Sequence, residues 1–353
     1  MKDLLSKLTT FRNIAMGRLL LLALAAIALW QLAAPEGLST DERQLWERVN
    51  AAQQHIDQWR SAEGSITDAQ SDSWNCGLIG LEWSDTSTTL GDLSSKRTAC
   101  NPAWAVQFSR WFKEQGLAKG DRVAIYSSAS FPGLLLSAMA ASEALELQVF
   151  LVVSLGASTW GANDPAYPWP VLAAELRRAG FIQKRADFYT LGGGAELGQS
   201  LSPEGLEILR SAAKDAGVEV LSAASLEAMI QLKSDLLKQQ RSRLLLSIGG
   251  SHANMGDDYE RLGLPTGPVP LSDINIAGNG VIGNALRADI PVIHMLNLRY
   301  LSRQTGIPYD SKPRQMAPGR ISAWWSAAGN FVFFLVVARH RRGQIEDSPR
   351  PNH

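Results

Sequence analysis

The stretch RVAIYSSASFP, residues 122–132, has the pattern of a buried strand that leads through a small polar loop into a helix. Ser130 is a suitable N-cap and Pro132 is favourable in the first helical turn. The same pattern returns at residues 147–163, where the apolar run LQVFLVV precedes the polar loop SLGASTWGAN. Two such units in succession predict a parallel sheet whose polar loops gather at its carboxyl end, where α/β folds bind ligands.

Apolar runs and helical periodicities alternate along most of the chain, which predicts an α/β fold with a mostly parallel, doubly wound sheet in a domain spanning residues 74–318. The expected strands cover residues 78–83, 122–126, 147–153, 218–221, 243–248 and 290–296. The expected helices cover residues 102–115, 132–145, 171–179, 203–216, 226–240 and 280–288. Residues 263–273 contain three prolines and are expected to form an irregular loop or a lid.

Two apolar stretches flank this domain, LLLLALAAIALWQLAA at 19–34 and ISAWWSAAGNFVFFLVVA at 321–338. Basic residues lie on the outer side of each, within segments 1–18 and 339–353. The positive-inside rule then predicts two transmembrane helices with cytoplasmic termini and an extracytoplasmic domain, in the cell (inner) membrane. The alternatives are a cleaved secretory signal for the first stretch and a buried core helix for the second.

The segment at residues 35–73 is expected to hold a helix and a linker. Helical spacing at 41–60 predicts a helix that rises from the membrane to the domain, and residues 61–73 are polar and turn-rich. The chain has two cysteines, Cys76 and Cys100, and an even count in an oxidising compartment favours a disulfide. Two unrelated buried thiols are the alternative. A zinc site is not expected, because no histidine lies near either cysteine in the sequence.

Composition and motifs exclude several classes of function. Lysines and arginines number 34, as do aspartates and glutamates, so the formal net charge of zero provides no basic surface typical of nucleic-acid binding. The sequence has no phosphate-binding P-loop, no dinucleotide fingerprint and no metalloprotease motif, and we predict neither cofactor nor metal. A G-x-S-x-G elbow is also missing, so the α/β-hydrolase template is not met.

Polar side chains follow the predicted strands and suit a pocket for a polar or anionic ligand. A nucleophilic interpretation makes Ser127, Ser128, Ser130 or Ser158 the attacking group, and we select Ser130, with His252 or His294 as the base. Ser130 also has a purely structural interpretation as a helix cap, and each histidine has one as a core or loop histidine. The residues predicted to bind the ligand are Glu82, Ser84, Thr88, Ser127, Ser154, Ser158, Trp160, Asn163, Gly249 and Gly250. A basic cleft formed by Lys96, Arg97, Arg122 and Arg177 is a further possibility.

Several uncommon sequence words occur in a fixed order between residues 77 and 308. They are GLIGLEWS at 77–84, TTLG at 88–91, KRT at 96–98, NP at 101–102, the SxSFP and SLGASTWGAN blocks, GG at 249–250 and IPVIH at 290–294. In these words the chain resembles the poly-gamma-glutamate system protein family, the membrane-anchored components of bacterial capsule loci. It departs from the family pattern at Ser128, at Cys100 and at residues 167–170.

The resemblance implies a role in making, exporting or anchoring an anionic, γ-linked glutamate polymer. The implied partners are poly-gamma-glutamate or its synthase and export complex, and the membrane. We therefore expect a membrane-anchored capsule component with an anionic-ligand cleft at the carboxyl end of the sheet. The alternative is a serine-dependent hydrolase or transferase that acts on γ-glutamyl amide bonds.

Overall fold

The computed structural model describes residues 2–33, 37–65, 70–257, 264–276, 278–319 and 323–346. The chain divides into two compact units. One is the α/β unit Leu38–Pro318, and the other is a helical unit that combines Met1–Gly37 with Gly319–His353. Of the predicted segments, residues 34–36, 66–69, 258–263, 320–322 and 347–353 lie outside the described residues.

Most of the strands form one sheet with the order β5–β3–β2–β6–β8–β7, in which all neighbours are parallel except β7 and β8. The mostly parallel α/β sheet predicted from the sequence is thus confirmed. A separate parallel pair joins β1 to β4. The strands are β1 (Ser87–Thr89), β2 (Arg122–Ser128), β3 (Gln148–Ser154), β4 (Ala157–Ser158), β5 (Phe188–Thr190), β6 (Leu244–Ile248), β7 (Gly267–Val269) and β8 (Val292–Met295).

The helices occupy most of the remaining described residues. They are α1 (Lys2–Ala33), α2 (Thr40–Ala62), α3 (Leu93–Ala99), α4 (Ala103–Glu114), α5 (Pro132–Ala144), α6 (Trp169–Arg178), α7 (Pro203–Asp215), α8 (Leu226–Gln239), α9 (His252–Met255), α10 (Val281–Arg287), α11 (Leu298–Thr305) and α12 (Ala323–Glu346). Short 3-10 turns lie at Gly194–Glu196 and Leu271–Ile276.

Helices cover both faces of the sheet, and the side-chain alternation of the central strand shows how. Val123 and Ile125 of β2 belong to a core cluster with α2, α4 and α5, whereas Ala124 and Tyr126 belong to a second cluster with α8 and α10. A strand buried on both faces needs apolar residues at successive positions, which is why the strands appear as continuous apolar runs. Trp104 of α4 is fully buried in the first cluster, and burial of a large apolar side chain contributes about 1.5–3 kcal/mol.

Helix α2 lies on the α/β unit. Ser39 and Glu42 form a capping box at its N-terminus, and its stripe of Leu45, Val49 and Ile56 is buried in the first core cluster. The helix predicted at 41–60 is therefore present. Its packing partners are α4, α5 and α6 of the same unit.

Several short elements differ from those predicted. Residues 78–83 form no strand in the described structure, because the amide of Asn163 bonds both backbone groups of Leu81 in place of a ladder. Residues 218–221 make only an isolated bridge between Val220 and Tyr189. Strand β7 forms inside the segment predicted to be a loop or lid, as an antiparallel edge strand that tolerates Pro268.

The expected disulfide joins Cys76 to Cys100, with their Cα atoms 6.1 Å apart. In the helical unit, α1 packs against α12, and the ring of Trp30 lies 5.7 Å from that of Phe333. These two helices contain the described parts of the stretches predicted to span a membrane, and both extend beyond them. Among the helices formed by the described residues, none combines the length and the apolar character needed to cross a bilayer.

Candidate active site

A cleft of about 490 Å³ opens at the carboxyl end of the sheet, beside strands β2 and β6. From β2 the chain proceeds outward to β3 and β5, and then returns to place β6 on the other side of β2. The loops after β2 and β6 consequently leave in opposite directions and open a crevice between them, as expected at the switch point of a doubly wound sheet. Ser128 and Ser130 line it from the first loop, and Gly250 and Ser251 from the second.

The central contact of the cleft is between a lysine and a serine. Lys96 Nζ lies 2.6 Å from Ser158 Oγ and donates a second hydrogen bond, of 2.5 Å, to the carbonyl oxygen of Ser130. The ammonium also lies 3.9 Å from the centre of the Phe131 ring. Both Lys96 and Ser158 line the cleft. Although Lys96 is only 3% exposed, no carboxylate within the described residues forms an ion pair with it.

Burial lowers the pKa of Lys96 from 10.5 to about 7, and the carboxylate of Asp92 offsets this only in part. The physical cause is the loss of hydration of the ammonium, which disfavours the charged form. A substantial fraction of the Lys96 side chains is therefore a neutral amine near neutral pH. A neutral amine can accept the proton of Ser158 across the same 2.6 Å contact.

Local structure explains why Lys96 reaches the cleft. Asp92 is the N-cap of helix α3, and its side chain accepts the N–H of Ser95. The C-cap of the helix is the disulfide-bonded Cys100. Gly133 of α5 lets this end approach closely, since a Cβ atom there would lie 2.6 Å from the carbonyl oxygen of Ala99.

Gly91 serves the same purpose at the other end of α3. A Cβ atom on it would lie 3.0 Å from Ser158 Oγ and 3.1 Å from Lys96 Cε. A side chain at position 91 would therefore push on both members of the lysine–serine contact.

Ser158 is positioned by the pairing of β4 with β1. Its neighbour Thr159 continues this pairing through an N–H bond to the carbonyl oxygen of Thr89. The N–H of Ser158 itself bonds Ser130 Oγ at 2.9 Å, and Ser130 Oγ also accepts the hydroxyl of Ser128 at 2.8 Å. The loops after β2 and β3 are thus joined by hydroxyl groups at the base of the cleft.

The opposite wall is held by a buried ion pair. Glu196 and Lys233 are each 1% exposed, with a closest contact of 2.9 Å. The carboxylate also accepts hydroxyl groups from Thr190, Ser154 and Ser251. Because these bonds come from β3, β5, α8 and the start of α9, we interpret this cluster as the anchor of the glycine-rich loop that ends at Glu196.

Neither predicted catalytic histidine hydrogen-bonds a serine side chain in the described structure. His252 lines the cleft, and its Nδ1 accepts the N–H of Ala195 while its Nε2 faces Asp257. His294 lies inside β8, where it is paired with Ser247, and does not line the cleft. Burial lowers the pKa of His294 to about 4, so its imidazole is neutral. Lys96 instead makes the hydrogen bond to a serine hydroxyl that the sequence predicted for a histidine.

The structure brings some of the predicted ligand-binding residues together. Thr88, Ser154, Ser158 and Gly250 line the cleft with Ser130. The others lie outside the lining formed by the described residues. Glu82 is exposed, and Trp160 packs against the core. Ser84 donates to the carbonyl oxygen of Asn163, Ser127 bonds the carbonyl oxygen of Ser128, and Gly249 adopts a φ of 84° beside Ser128.

The proposed basic cleft does not form. Arg97 pairs with Asp310, Arg122 bonds Gln240 at the amino end of the sheet, and Arg177 lines a separate groove between α6 and α7. Of these four residues, only Lys96 lines the cleft. The sequence predicts Lys96 only as a basic residue of the cleft and not as the partner of Ser158, because α3 is short and polar and was not predicted.

Comparisons of this chain with family models, with curated protein sequences and with solved structures gave no match. The function is therefore argued from the geometry of the cleft.

Proposed function

We propose that the cleft catalyses acyl transfer, with Ser158 as the nucleophile and Lys96 as the general base. The observation that carries this proposal is the 2.6 Å contact between Lys96 Nζ and Ser158 Oγ. A serine hydroxyl is a weak nucleophile until a neighbouring base accepts its proton. A lysine serves as that base when burial brings its pKa close to the working pH.

The steps follow from this pair. Ser158 Oγ attacks the carbonyl carbon of the substrate, and its proton moves to Lys96 Nζ. The bond from the carbonyl carbon to the leaving nitrogen or oxygen then breaks, and the leaving group takes the proton from Lys96. Water or an acceptor amine attacks the resulting ester in the same way, and Ser158 recovers its proton.

The substrate class we propose is a γ-glutamyl amide, in a poly-gamma-glutamate chain or a precursor of it. This part of the proposal rests on the family resemblance of the sequence words. We also propose that the protein is anchored in the cell membrane with the α/β unit extracytoplasmic, as the basic flanks of the two apolar stretches and the cysteine pair favour. Alkaline phosphatase fused at residue 200 should then be active, and a C-terminal fusion inactive.

A fluorophosphonate probe tests the chemistry, since it phosphonylates activated serines. We expect mass spectrometry of the labelled full-length protein to locate the adduct on Ser158. The labelling rate should rise with pH through about 7, because only neutral Lys96 accepts the proton. Ser158→Ala and Lys96→Met should abolish labelling, whereas the matched control Ser142→Ala, a buried serine of α5 that bonds the carbonyl oxygen of Ala138, should react normally. Labelling elsewhere, or none, would refute the proposal.

A second candidate is a non-catalytic component that binds an anionic group of the polymer. The observation in its favour is that protonated Lys96 faces a cleft lined with serine hydroxyls, which together can bind a carboxylate. Incubation of the wild type with short γ-glutamyl oligomers separates the two candidates. A binding component would leave the length of the oligomers unchanged during prolonged incubation. It would also still bind them in calorimetry after the substitution Ser158→Ala.

A further inference from the structure

The backbone N–H of Ser158 bonds within the protein, to Ser130 Oγ at 2.9 Å. In acyl transfer the carbonyl oxygen of the substrate becomes an oxyanion close to the attacking serine, and donors placed there stabilise the transition state. The N–H of the attacking serine is therefore bonded to the Ser130 hydroxyl, and Ser130 lines the cleft together with Ser158.

The hydrogen bonds of Ser130 determine what its hydroxyl can do. A serine hydroxyl has two acceptor lone pairs and one donor proton. Ser130 Oγ accepts the N–H of Ser158 and the hydroxyl of Ser128, at 2.9 and 2.8 Å, so both lone pairs are occupied. Among the described residues, no protein acceptor takes the proton of Ser130. Because Ser130 lines the cleft, this proton is available to a bound group.

We propose that the Ser130 hydroxyl donates a hydrogen bond to the oxyanion that forms when Ser158 attacks. The inference rests on the proposed acyl transfer and adds a third catalytic residue to Ser158 and Lys96. The two donors to Ser130 Oγ polarise its O–H bond, since hydrogen bonds in a chain strengthen one another. Lys96 binds the carbonyl oxygen of Ser130, not its hydroxyl, and so keeps the residue in place without acting as its base.

The same contacts assign different roles to the two serines. Ser158 Oγ touches the base and attacks, whereas Ser130 Oγ contacts two donors and no base. A nucleophilic Ser130, as the sequence suggested, would have to lose its proton to a group that it does not contact.

The test measures the rate of phosphonylation of Ser158 by a fluorophosphonate in the full-length protein. Ser130→Ala removes the donor, and loss of one oxyanion donor lowers the rate by about 10²–10³-fold. The pH at which labelling is half-maximal should remain at about 7, because the Lys96–Ser158 contact is retained. Ser130→Thr keeps a hydroxyl and should recover most of the rate. Ser128→Ala removes one of the two polarising donors and should cause a smaller loss.

The outcomes separate the two proposals. Labelling of Ser130→Ala at the wild-type rate would end the oxyanion role and leave the acyl-transfer proposal standing. A slow Ser130→Ala protein with a shifted pH midpoint, and no recovery in Ser130→Thr, would mean that Ser130 only positions Lys96, and would overturn the inference. A wild-type protein with no adduct on Ser158 would remove the acyl-transfer function and this inference with it. Thermal unfolding of each variant establishes that it is folded.

Discussion

At the scale of single residues, the burial of Lys96 has a cost in stability that the proposed function explains. Its ammonium has lost nearly all contact with water and has no carboxylate partner among the described residues, and this lowers its pKa to about 7. Buried charges that lack a partner destabilise the folded state. A protein retains such a residue when its chemistry requires an amine that is neutral near pH 7, as a general base does.

Lys96→Met should therefore stabilise the protein while it abolishes the labelling of Ser158. We expect a gain on the order of 1–3 kcal/mol at pH 7. Because the pKa of Lys96 falls from 10.5 in the unfolded chain to about 7 in the folded one, the unfolded state binds more protons between these values. Wild-type stability should rise with pH across this window, and the advantage of the variant should shrink.

Urea unfolding of both proteins at several pH values measures that difference. A constant difference, or a variant less stable than the wild type at pH 7, would contradict the buried-amine interpretation. Ser142→Ala again serves as the control, because its hydroxyl is buried in α5 away from the cleft.

At the scale of elements, the position of Lys96 depends on the short helix α3. The disulfide to Cys76 fixes the residue at which this helix ends and closes a segment with a sequence separation of 24. Constraining a loop of this size typically stabilises the folded state by about 2–4 kcal/mol.

Replacing Cys76 and Cys100 by serine together should lower the free energy of unfolding by that amount and slow the labelling of Ser158. The physical reason for the second effect is that a loosened α3 no longer holds Lys96 against Ser158. Equilibrium unfolding and labelling rates, measured at a temperature where the variant is folded, provide the two readouts. A destabilised variant that labels at the wild-type rate would show that the other contacts of α3, such as the ion pair between Arg97 and Asp310, suffice to position Lys96.

The loop that ends at Glu196 is a second element whose structure depends on charge. Glu196 has a φ of 60° and Ala195 a φ of 55°, which are unfavourable backbone conformations for residues with side chains. The ion pair with Lys233 joins the end of this loop to α8. Burial lowers the pKa of Lys233, and the carboxylate of Glu196 offsets this only in part.

Glu196→Gln should destabilise the protein by about 3–5 kcal/mol, because it leaves Lys233 buried without a counter-charge. Adding Lys233→Met removes that charge as well and should restore part of the loss. A double-mutant cycle measured by urea unfolding gives the coupling between them. Additive losses would mean that the two side chains contribute independently.

The elements also show what the sequence could predict. Strands β2, β3 and β6 and helices α4 and α5 were foreseen because they are long and apolar, and a buried element must be so. Helix α3 was not, because Ser94, Ser95 and Thr98 give it no apolar stripe and its shape depends on a cap and a disulfide. The position of the cleft could be predicted, because strand ends meet there, but the proposed general base Lys96 could not.

At the scale of the whole molecule, the site is a consequence of topology. Lys96 and Ser158 are 62 residues apart, and they meet because β1 pairs with β4 outside the main sheet while α3 packs against α5, the helix that follows β2. Hydrophobic periodicity cannot predict the pairing of β1 with β4, because these strands have only three and two residues. The switch point of the main sheet, by contrast, follows from the order of its long strands. The polar loops that follow these strands in the sequence indicated the end of the sheet at which the cleft lies.

The last prediction concerns the independence of the α/β unit. The whole sheet, both core clusters, the disulfide and the cleft lie within Leu38–Pro318. A domain with its own core can fold alone. A protein limited to residues 38–318, produced under oxidising conditions, should therefore unfold cooperatively and label on Ser158 at the rate of the full-length chain. Circular dichroism during heating and fluorophosphonate labelling measure the two properties, with Ser158→Ala in the same fragment as the control. A fragment that folds cooperatively but does not label would show that the cleft needs residues 1–37 or 319–353 for its reactivity.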